Sequence, residues 1–377
     1  MRGKPLRGAL AAAKALAERL DENDRLAVVV YDRDVHTLWG PGAVTPQGRQ
    51  QLIDRLEHVM SGYLTNLGGA YIEACRHAAS QMTEQRTARV LLLTDGYPSY
   101  GICDAQELAE MSTFQHARGI TTTAIGFGSA FDEDLLTQMS KSGGGNFYYA
   151  NTPEDIPKAF AQELGNVFFL SAQDVKAKIS MSPVVESLGV LHDYPATKNA
   201  NQVDVQIGEF YQGVPRHLLI ELQSSTFEEP GVHHAGSIEI RYKQPGGGEA
   251  TLNIPLQTPA SSGGPVELHP EVGRELLLLA SARAQSDAVH KADANAFAEA
   301  RVILENASKR VRRFVDAYPN DAEMKEHLQD MEGLLRRLAT GALDANARKQ
   351  VIHKTHHTRL SQLNIPIPAK KNNNNEN

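Results

Sequence analysis

Asp95 is the residue whose type and position best suit chemistry in this sequence, because it ends the apolar run VLLLTDGY at residues 90–97. Uninterrupted valine and leucine residues are typical of a strand buried on both faces, as in a parallel sheet covered by helices. Open α/β sheets bind ligands at the carboxyl ends of their strands, where Asp95 would lie. The carboxylate could instead cap the following turn by accepting backbone N–H groups before Gly96. The run alone leaves both interpretations open.

Thr65 is a second polar residue predicted to lie at this edge. It belongs to the polar, glycine-containing loop YLTNLGGA at residues 63–70, just before a predicted helix. Its hydroxyl is the one expected to face the edge that carries Asp95. Ser99 and Tyr100 follow Asp95 closely and are candidates for contact with a partner, and a role in shaping the loop turn is the alternative.

The elements that must position these residues alternate between strands and helices. Short β-branched or aromatic runs at 26–31, 90–97, 121–127 and 146–150 predict strands. Apolar residues at helical spacing predict helices at 5–20, 69–82, 105–118 and 133–139. This β-α-β-α order predicts an α/β fold, with a parallel sheet, helices on both faces and right-handed crossovers.

Five runs of residues follow one another in the first part of the chain, within residues 2–145. They are RGKPL, DRLAVVVYDRDV, TNLGGA, VLLLTDGYP and GITTTAIGFGSAFDEDLLTQMSKSGGGNFYYA. In this order they resemble a von Willebrand factor A (vWA) domain, which has a Rossmann-like α/β fold.

The resemblance implies a metal-ion-dependent adhesion site, in which an Asp-x-Ser-x-Ser motif, a loop threonine and a strand-end aspartate hold a divalent cation. Thr65 and Asp95 match the threonine and aspartate positions, and the Asp-x-Ser-x-Ser motif has no match. Mg²⁺ takes roughly six oxygen ligands. We therefore expect poor binding of Mg²⁺ or Mn²⁺ by this sequence, and stronger binding if an upstream segment restores the motif.

The missing motif would be accompanied by a missing first strand, which in the family lies in the middle of the sheet. Each buried, unpaired backbone group costs about 1–3 kcal/mol, against about 5–15 kcal/mol of total stability. The alternatives are a misplaced start site, closure of the two flanking strands on each other, or a strand supplied by another chain, including self-association through the gap.

The rest of the chain predicts further domains after a vWA-like domain at 1–170. Alternating apolar and polar residues at 174–181, 202–207, 217–223, 236–242 and 249–255 predict an antiparallel β-sandwich over 171–258. Amphipathic runs at 272–288, 294–317 and 323–338 predict a helical hairpin or three-helix bundle over 259–369. The asparagine-rich segment 370–377 predicts a disordered tail.

Two other groups of residues, a pair of histidines and the two cysteines, are explained most simply without a functional site. His353 and His357 would share a face of a helix, as in a two-histidine metal site. Since no third ligand is evident, an exposed, mildly basic helix end is favoured. Cys75 and Cys103 are the only thiols, and a reducing compartment is the simpler interpretation of so few.

Composition excludes several classes of function. A net charge of −7, spread along the chain, gives no basic field for nucleic acid. The sequence contains no apolar run of the ~20 residues that a membrane span needs, and its start does not resemble a signal peptide. We predict a cytoplasmic location, which an upstream signal or anchor would change.

The favoured function is a non-enzymatic protein-interaction module that binds a partner through the Thr65 and Asp95 face. The resemblance suggests a bridging cation for a carboxylate-bearing partner when the site is complete. A metal-independent scaffold or assembly protein is the alternative. The placement of a β-sandwich after the vWA-like domain is similar to that in bacterial multidomain vWA proteins. A metal-dependent hydrolase is disfavoured, since Glu73 and His77 are the only acid–base candidates near the site and they lie deeper in the helix.

Overall fold

The computed structural model describes residues 1, 3–83, 86–168, 170–225, 227, 229–244, 247–260, 268–341 and 343–361. These residues form two compact units. The first comprises Met1–Ser171 with Tyr211–Val214, and the second comprises Ala172–Phe210 and the described part of Pro215–Leu363. The domain boundaries predicted at 170, 258 and 369 stay predictions, and the predicted tail at 370–377 lies outside the described residues.

The first unit alternates helices with strands. Its elements in chain order are α1 (Lys4–Arg19), β1 (Arg25–Tyr31), β2 (Val35–Ala43), α2 (Pro46–Glu57), α3 (Leu67–Ser80), β3 (Ala88–Thr94), α4 (Ala105–Ala117), β4 (Ile120–Phe127), α5 (Glu133–Ser142), β5 (Gly144–Ala150) and α6 (Asp155–Phe168). Side-chain caps fix several helix starts, since Asn66, Asp104 and Asp132 accept the backbone N–H groups of Gly69, Glu107 and Leu135.

The strands of this unit form two separate sheets. Strands β3, β4 and β5 form a parallel sheet in that order, with Leu91 opposite Thr123 and Ile125 opposite Tyr148. Strands β1 and β2 form an antiparallel hairpin. Within the described residues, which include all of β1 and β3, those two strands are not paired with each other. The flanking strands of the predicted gap therefore do not close on each other.

Helices cover both faces of the parallel sheet. Val90 and Leu92 of β3 pack with Leu67 and Tyr71 of α3 on one face. Leu91 and Leu93 point the other way and pack in the core that contains Ala12 of α1. This alternation follows from the period of two along a strand, and it confirms the predicted α/β fold of the vWA type.

The second unit begins with an antiparallel β structure. Its strands are β6 (Leu170–Met181), β7 (Val185–Val190), β8 (Ala196–Asn199), β9 (Gln202–Tyr211), β10 (Ile220–Ser224), β11 (Gly231–Lys243) and β12 (Glu249–Ala260). They form a sheet in the order β12-β11-β6-β9-β8 and a second sheet of β10 and β7. Residues from both sheets share one core, which includes Val175, Ile179, Leu188 and Val205. The predicted antiparallel β-sandwich is confirmed.

Four helices follow in this unit, where the sequence predicted a hairpin or three helices. They are α7 (Pro270–Asp293), α8 (Phe297–Ala317), α9 (Ala322–Ala339) and α10 (Ala345–Arg359). Leu304, Val311, Met331, Leu334 and Ile352 from the last three helices pack in one core. The fourth helix was missed because its sequence, ANARKQVIHKTHHTR, is largely polar.

The predicted exposed histidine face of α10 is wrong. His356 is buried, and His353 is half-buried. Burial lowers the pKa of His353 well below its ordinary value, and the described residues hold no cluster of three or more histidine, cysteine or acidic residues able to bind a metal. The histidines are covered in part or in full because α10 packs along α7, a long-range contact that the local sequence pattern could not predict.

Strand β12 lies at one end of the five-stranded sheet and contains Pro255 and Pro259. Proline has no backbone N–H and is confined within sheets to edge positions of this kind.

None of the described helices is both long and apolar enough to cross a bilayer.

Candidate functional site

Three loops meet at the carboxyl edge of the first unit. The backbone N–H of Asn66 donates to the carbonyl of Asp32, just after β1, at 2.7 Å. The carbonyl of Thr65 accepts from the N–H of Ser99, in the loop after β3, at 3.0 Å. The loop before α3 is therefore tied to the loops that follow both β1 and β3. Because these bonds are between backbone groups, they hold the edge together whichever side chains it carries.

Thr65 and Asp95 lie at this edge, as the sequence predicted. The side chain of Ser99 accepts a hydrogen bond from the N–H of Thr65 at 2.9 Å. A Cβ atom built at Gly96, next to Asp95, would lie only 3.2 Å from Thr65 Oγ1. The glycine thus allows the threonine hydroxyl to approach the end of β3. Both side chains are partly accessible, and that of Asp95 is 30% exposed.

The Asp95 carboxylate lies near the Met1 nitrogen and near the buried side chain of Tyr31. The α-amino nitrogen of Met1 is 3.1 Å from Asp95 Oδ1. Tyr31, at the end of β1, donates its hydroxyl to the carbonyl of Leu93 at 3.0 Å. Burial raises the pKa of the Tyr31 hydroxyl to about 12, and the nearby Asp95 charge acts in the same direction. The tyrosine therefore stays a neutral donor across the physiological pH range.

Exposed hydrophobic side chains surround the two predicted site residues. Tyr100 is 44% exposed, and the guanidinium of Arg33 lies over its ring at 5.7 Å from the centroid. Tyr97 is also exposed. Tyr63 and Leu64 are exposed in the loop before Thr65. Ser99 is exposed too, so both predicted contact residues, Ser99 and Tyr100, are accessible.

Sequence reasoning missed Asp32 at this edge. It follows β1 as Asp95 follows β3, and its Oδ1 accepts the N–H of Asp34 at 2.9 Å. The signal was present in the run VVVYDRD, which repeats the pattern of an apolar strand ending in aspartate. Its side chain shapes the turn after β1, while its carbonyl holds Asn66.

Thr65 and Asp95 by themselves supply only part of the coordination shell of a divalent cation. The predicted ligands are one hydroxyl, from Thr65, and one carboxylate, from Asp95. Mg²⁺ requires about six oxygen ligands in near-octahedral geometry. The described residues also contain no group of three or more acidic, histidine or cysteine side chains suited to a metal.

A second polar cluster lies beside α3, away from Thr65 in the sequence. Thr37 Oγ1 lies 2.8 Å from His77 Nε2, and Glu73 Oε1 lies 3.0 Å from the same nitrogen. Hydrogen bonding to Arg76 lowers the pKa of Glu73 to about 2. In a catalytic triad, one ring nitrogen of the histidine contacts the nucleophile and the other contacts the acid. Here the same nitrogen of His77 contacts both Thr37 and Glu73, which differs from that arrangement.

Comparisons with known proteins agree with this fold. The sequence profile of the von Willebrand factor type A domain matches residues 1–162. An uncharacterized protein from Synechocystis sp. is 25% identical over 325 residues, which is 82% of this chain and 75% of that protein. YfbK from Escherichia coli is 26% identical over 215 residues, which is 55% of this chain and 37% of YfbK.

Solved structures are similar over most of the chain. A von Willebrand factor type A protein from Catenulispora acidiphila gives a TM-score of 0.73 at 14% identity, covering 93% of this chain and 84% of that one. The ArnB paralog VWA2 from Sulfolobus acidocaldarius gives a TM-score of 0.55 at 15% identity, covering 95% and 84%. At these identities the likeness concerns the fold, and it confirms the resemblance predicted from the sequence.

Proposed function

We propose that this protein is a non-enzymatic interaction module, because residues 1–162 match the von Willebrand factor type A domain, whose family comprises protein-interaction modules with metal-ion-dependent adhesion sites. Its binding surface is the carboxyl edge around Thr65 and Asp95. The partner is a protein, and Ser99 and Tyr100 contact it. Binding uses direct contacts more than a bridging cation.

The observation that carries the proposal is the joining of three loops at one exposed edge. Hydrogen bonds to Asp32 and Ser99 fix the segment at Thr65 and Asn66 on both sides. A surface that is held in place loses little conformational entropy on binding. Exposed tyrosines are suited to such a surface, since they offer a large contact area and a polar tip. Tyr97 and Tyr100 supply both here.

The cation has a minor part in this proposal. Thr65 and Asp95 leave about four positions of an octahedral Mg²⁺ or Mn²⁺ to water or to the partner. We expect the affinity for either cation to be low.

The non-enzymatic part of the proposal is supported by the geometry beside α3. His77 directs a single nitrogen at both Thr37 and Glu73, so it is not oriented as a general base between them. Hydrolysis of p-nitrophenyl esters and phosphates, with Mg²⁺ or Mn²⁺ present, should stay at the rate of the buffer. Turnover that is lost in His77→Ala would instead support a hydrolase.

Site-specific photo-crosslinking tests the interaction surface. A benzophenone amino acid replaces Tyr100 in one variant and Phe114, an exposed aromatic residue near the far end of α4, in the control variant. We expect the Tyr100 probe to crosslink a discrete protein that the Phe114 probe does not. Adding Asp95→Ala should reduce that product about tenfold, as for loss of one contact of about 1.4 kcal/mol.

Two results would reject the surface. One is the same set of crosslinked proteins from both probes, which indicates nonspecific proximity. The other is a Tyr100 product whose yield does not respond to Asp95→Ala or Thr65→Ala, since the partner would then bind elsewhere.

A further inference from the structure

Glu275 of α7 lies between two histidines of the β structure in the second unit. Its Oε1 atom is 3.4 Å from Nε2 of His192, which follows β7. Its Oε2 atom is 3.6 Å from Nδ1 of His217, which precedes β10. The carboxylate is buried, and a buried charge is costly unless neighbouring groups compensate for the lost water. This cluster therefore links the helical part of the unit to its β structure.

His192 is held in one neutral form by its surroundings. Its Nδ1 atom accepts the backbone N–H of Leu219 at 3.0 Å, so the ring proton is on Nε2, which faces Glu275. A second proton on Nδ1 would point at the N–H of Leu219 and break that hydrogen bond. The ring is also buried and packs on that of Tyr194, with 5.5 Å between the centroids. His192 is therefore not the group that takes up a proton in mild acid.

His217 can take up a proton without losing a hydrogen bond of this kind. Its side chain is 44% exposed, so it exchanges protons with the solvent. Its backbone N–H donates to Ser361 Oγ at 2.9 Å, and its carbonyl accepts from the Tyr194 hydroxyl at 3.1 Å. These two backbone bonds keep the side chain beside Glu275 in both of its charge states.

The Glu275 carboxylate remains charged where histidine titrates. Burial alone would raise its pKa, but the hydrogen bond from His192 and the charges of His217 and Arg274 outweigh burial and lower the pKa. Glu275 is thus the charged partner of His217, because the other charged groups nearby have partners of their own. They are Arg274, bound to Asp321; Arg216, bound to the carbonyls of Leu360 and Glu209; and Asp193, bound to Arg359 and Arg283.

We propose that Glu275 and His217 form a pH-sensitive latch between α7 and the segment before β10, which closes as the pH falls from about 8 to about 6. Protonated His217 places a positive charge beside the buried carboxylate. At higher pH the ring is neutral, and Glu275 is left with the hydrogen bond from His192. The latch lies within the second unit and does not rest on the interaction surface proposed at Thr65 and Asp95.

The direction of the pH effect follows from linkage. A histidine whose charged form has its partner only in the closed state stabilises that state at low pH. This contribution is lost as the pH rises and the ring gives up its proton. Mild acid should therefore tighten the contact between α7 and the β structure.

Hydrogen exchange of the full chain near pH 6 and near pH 8, followed by mass spectrometry, tests the latch. Each rate is divided by the intrinsic exchange rate at that pH, so that only structural opening is compared. We expect residues 216–222 and the first turns of α7 to be about threefold better protected at the lower pH, as for a partly exposed ion pair. His217→Gln should remove this difference. His234→Gln, which replaces an exposed histidine of β11, should keep it.

A permanently charged variant provides a second test. Arginine keeps its charge at both pH values. His217→Arg should therefore show the protection of the parent near pH 6 at both pH values, whereas His217→Gln should show that of the parent near pH 8. Both variants should give the circular dichroism of the parent, because position 217 is exposed.

Three results would overturn the proposal. A pH difference that persists in His217→Gln would assign the effect to another group. Weaker protection near pH 6 than near pH 8 would show that His192 takes up the proton and loses its bond to Leu219. Equal protection of the parent at both pH values would show that the charge of His217 does not hold α7.

Discussion

Thr65 and Asp95 lie together because backbone groups, and not their own side chains, join the loops that carry them. Ser99 contributes both its N–H and its hydroxyl to Thr65. Gly96 leaves space for the threonine hydroxyl beside the end of β3. The positions of both residues were predictable from the sequence, because strand ends and the loops before helices converge at one edge of an α/β sheet. The bonds from Ser99 were not, since they join residues 34 positions apart.

Mg²⁺ or Mn²⁺ should hardly change the stability of this chain. For a dissociation constant near 10 mM, about 5 mM cation stabilises the folded state by only about 0.2 kcal/mol. The melting temperature should then rise by less than about 1 °C. Thermal unfolding with and without each cation measures this shift, and the Asp95→Ala variant is the control. A rise of several degrees that Asp95→Ala removes would show that the chain holds a competent cation site.

Helix α6 is fixed to the parallel sheet by a buried charged network. Glu163 is fully buried and forms an ion pair with Arg89 of β3. It also accepts hydrogen bonds from Thr123 at 2.7 Å, Asn146 at 2.9 Å and Tyr148 at 3.1 Å. Burial alone would raise the pKa of Glu163, but Arg89 and these donors outweigh it and lower the pKa. The carboxylate therefore stays charged in the folded state.

This network should make the first unit sensitive to acid. A carboxyl group whose pKa is lower in the folded state stabilises the fold above its unfolded pKa, and this contribution is lost as the pH falls. We expect the urea concentration at the unfolding midpoint of the parent to decrease as the pH is lowered below about 4.5, the ordinary pKa of glutamate. Glu163→Gln should lower the free energy of unfolding by about 3 kcal/mol at neutral pH, because it removes the buried ion pair with Arg89.

The matched control is Glu154→Gln, an exposed residue just before α6. It should keep the pH dependence of the parent. If Glu163→Gln has the same urea midpoint as the parent at pH 7, the network does not stabilise the fold.

At the level of elements, the sequence predicted the helices and strands with a strong apolar periodicity and missed those in which it is weak. The runs that became α1, α3, β3 and β4 carry enough apolar residues to reveal their period. Helix α2, PQGRQQLIDRLE, and strand β2, VHTLWGPGA, were missed. Few apolar residues mark α2, and glycine and proline interrupt β2. Both form because they pack with α1 and β1, where Leu52, Leu56 and Trp39 share a core.

At the level of the whole molecule, each compact unit has its own hydrophobic core and should have its own unfolding transition. The first core contains Tyr71, Phe131 and Phe147, and the second unit has cores in its β structure and its helices. Glu275 offers a probe of the second unit, since it is buried there between His192 at 3.4 Å and His217 at 3.6 Å. A chain with separate cores need not unfold in one step.

Differential scanning calorimetry of two variants tests this division. Glu163→Gln should lower only the transition of the first unit, and Glu275→Gln only that of the second. Each shift should be several degrees, as for a loss of about 1–3 kcal/mol in a domain of this size. One transition that both variants lower equally would show that the units unfold together.

The prolines of β12 have a consequence for how the protein behaves at high concentration. Pro255 and Pro259 interrupt the outer rim of the five-stranded sheet, where a neighbouring molecule would otherwise add its own backbone. Such a rim resists the stepwise stacking by which β-rich proteins grow into fibrils. Isoleucine at both positions should turn this rim into a nucleus for fibril growth, visible as thioflavin fluorescence that the parent protein does not develop.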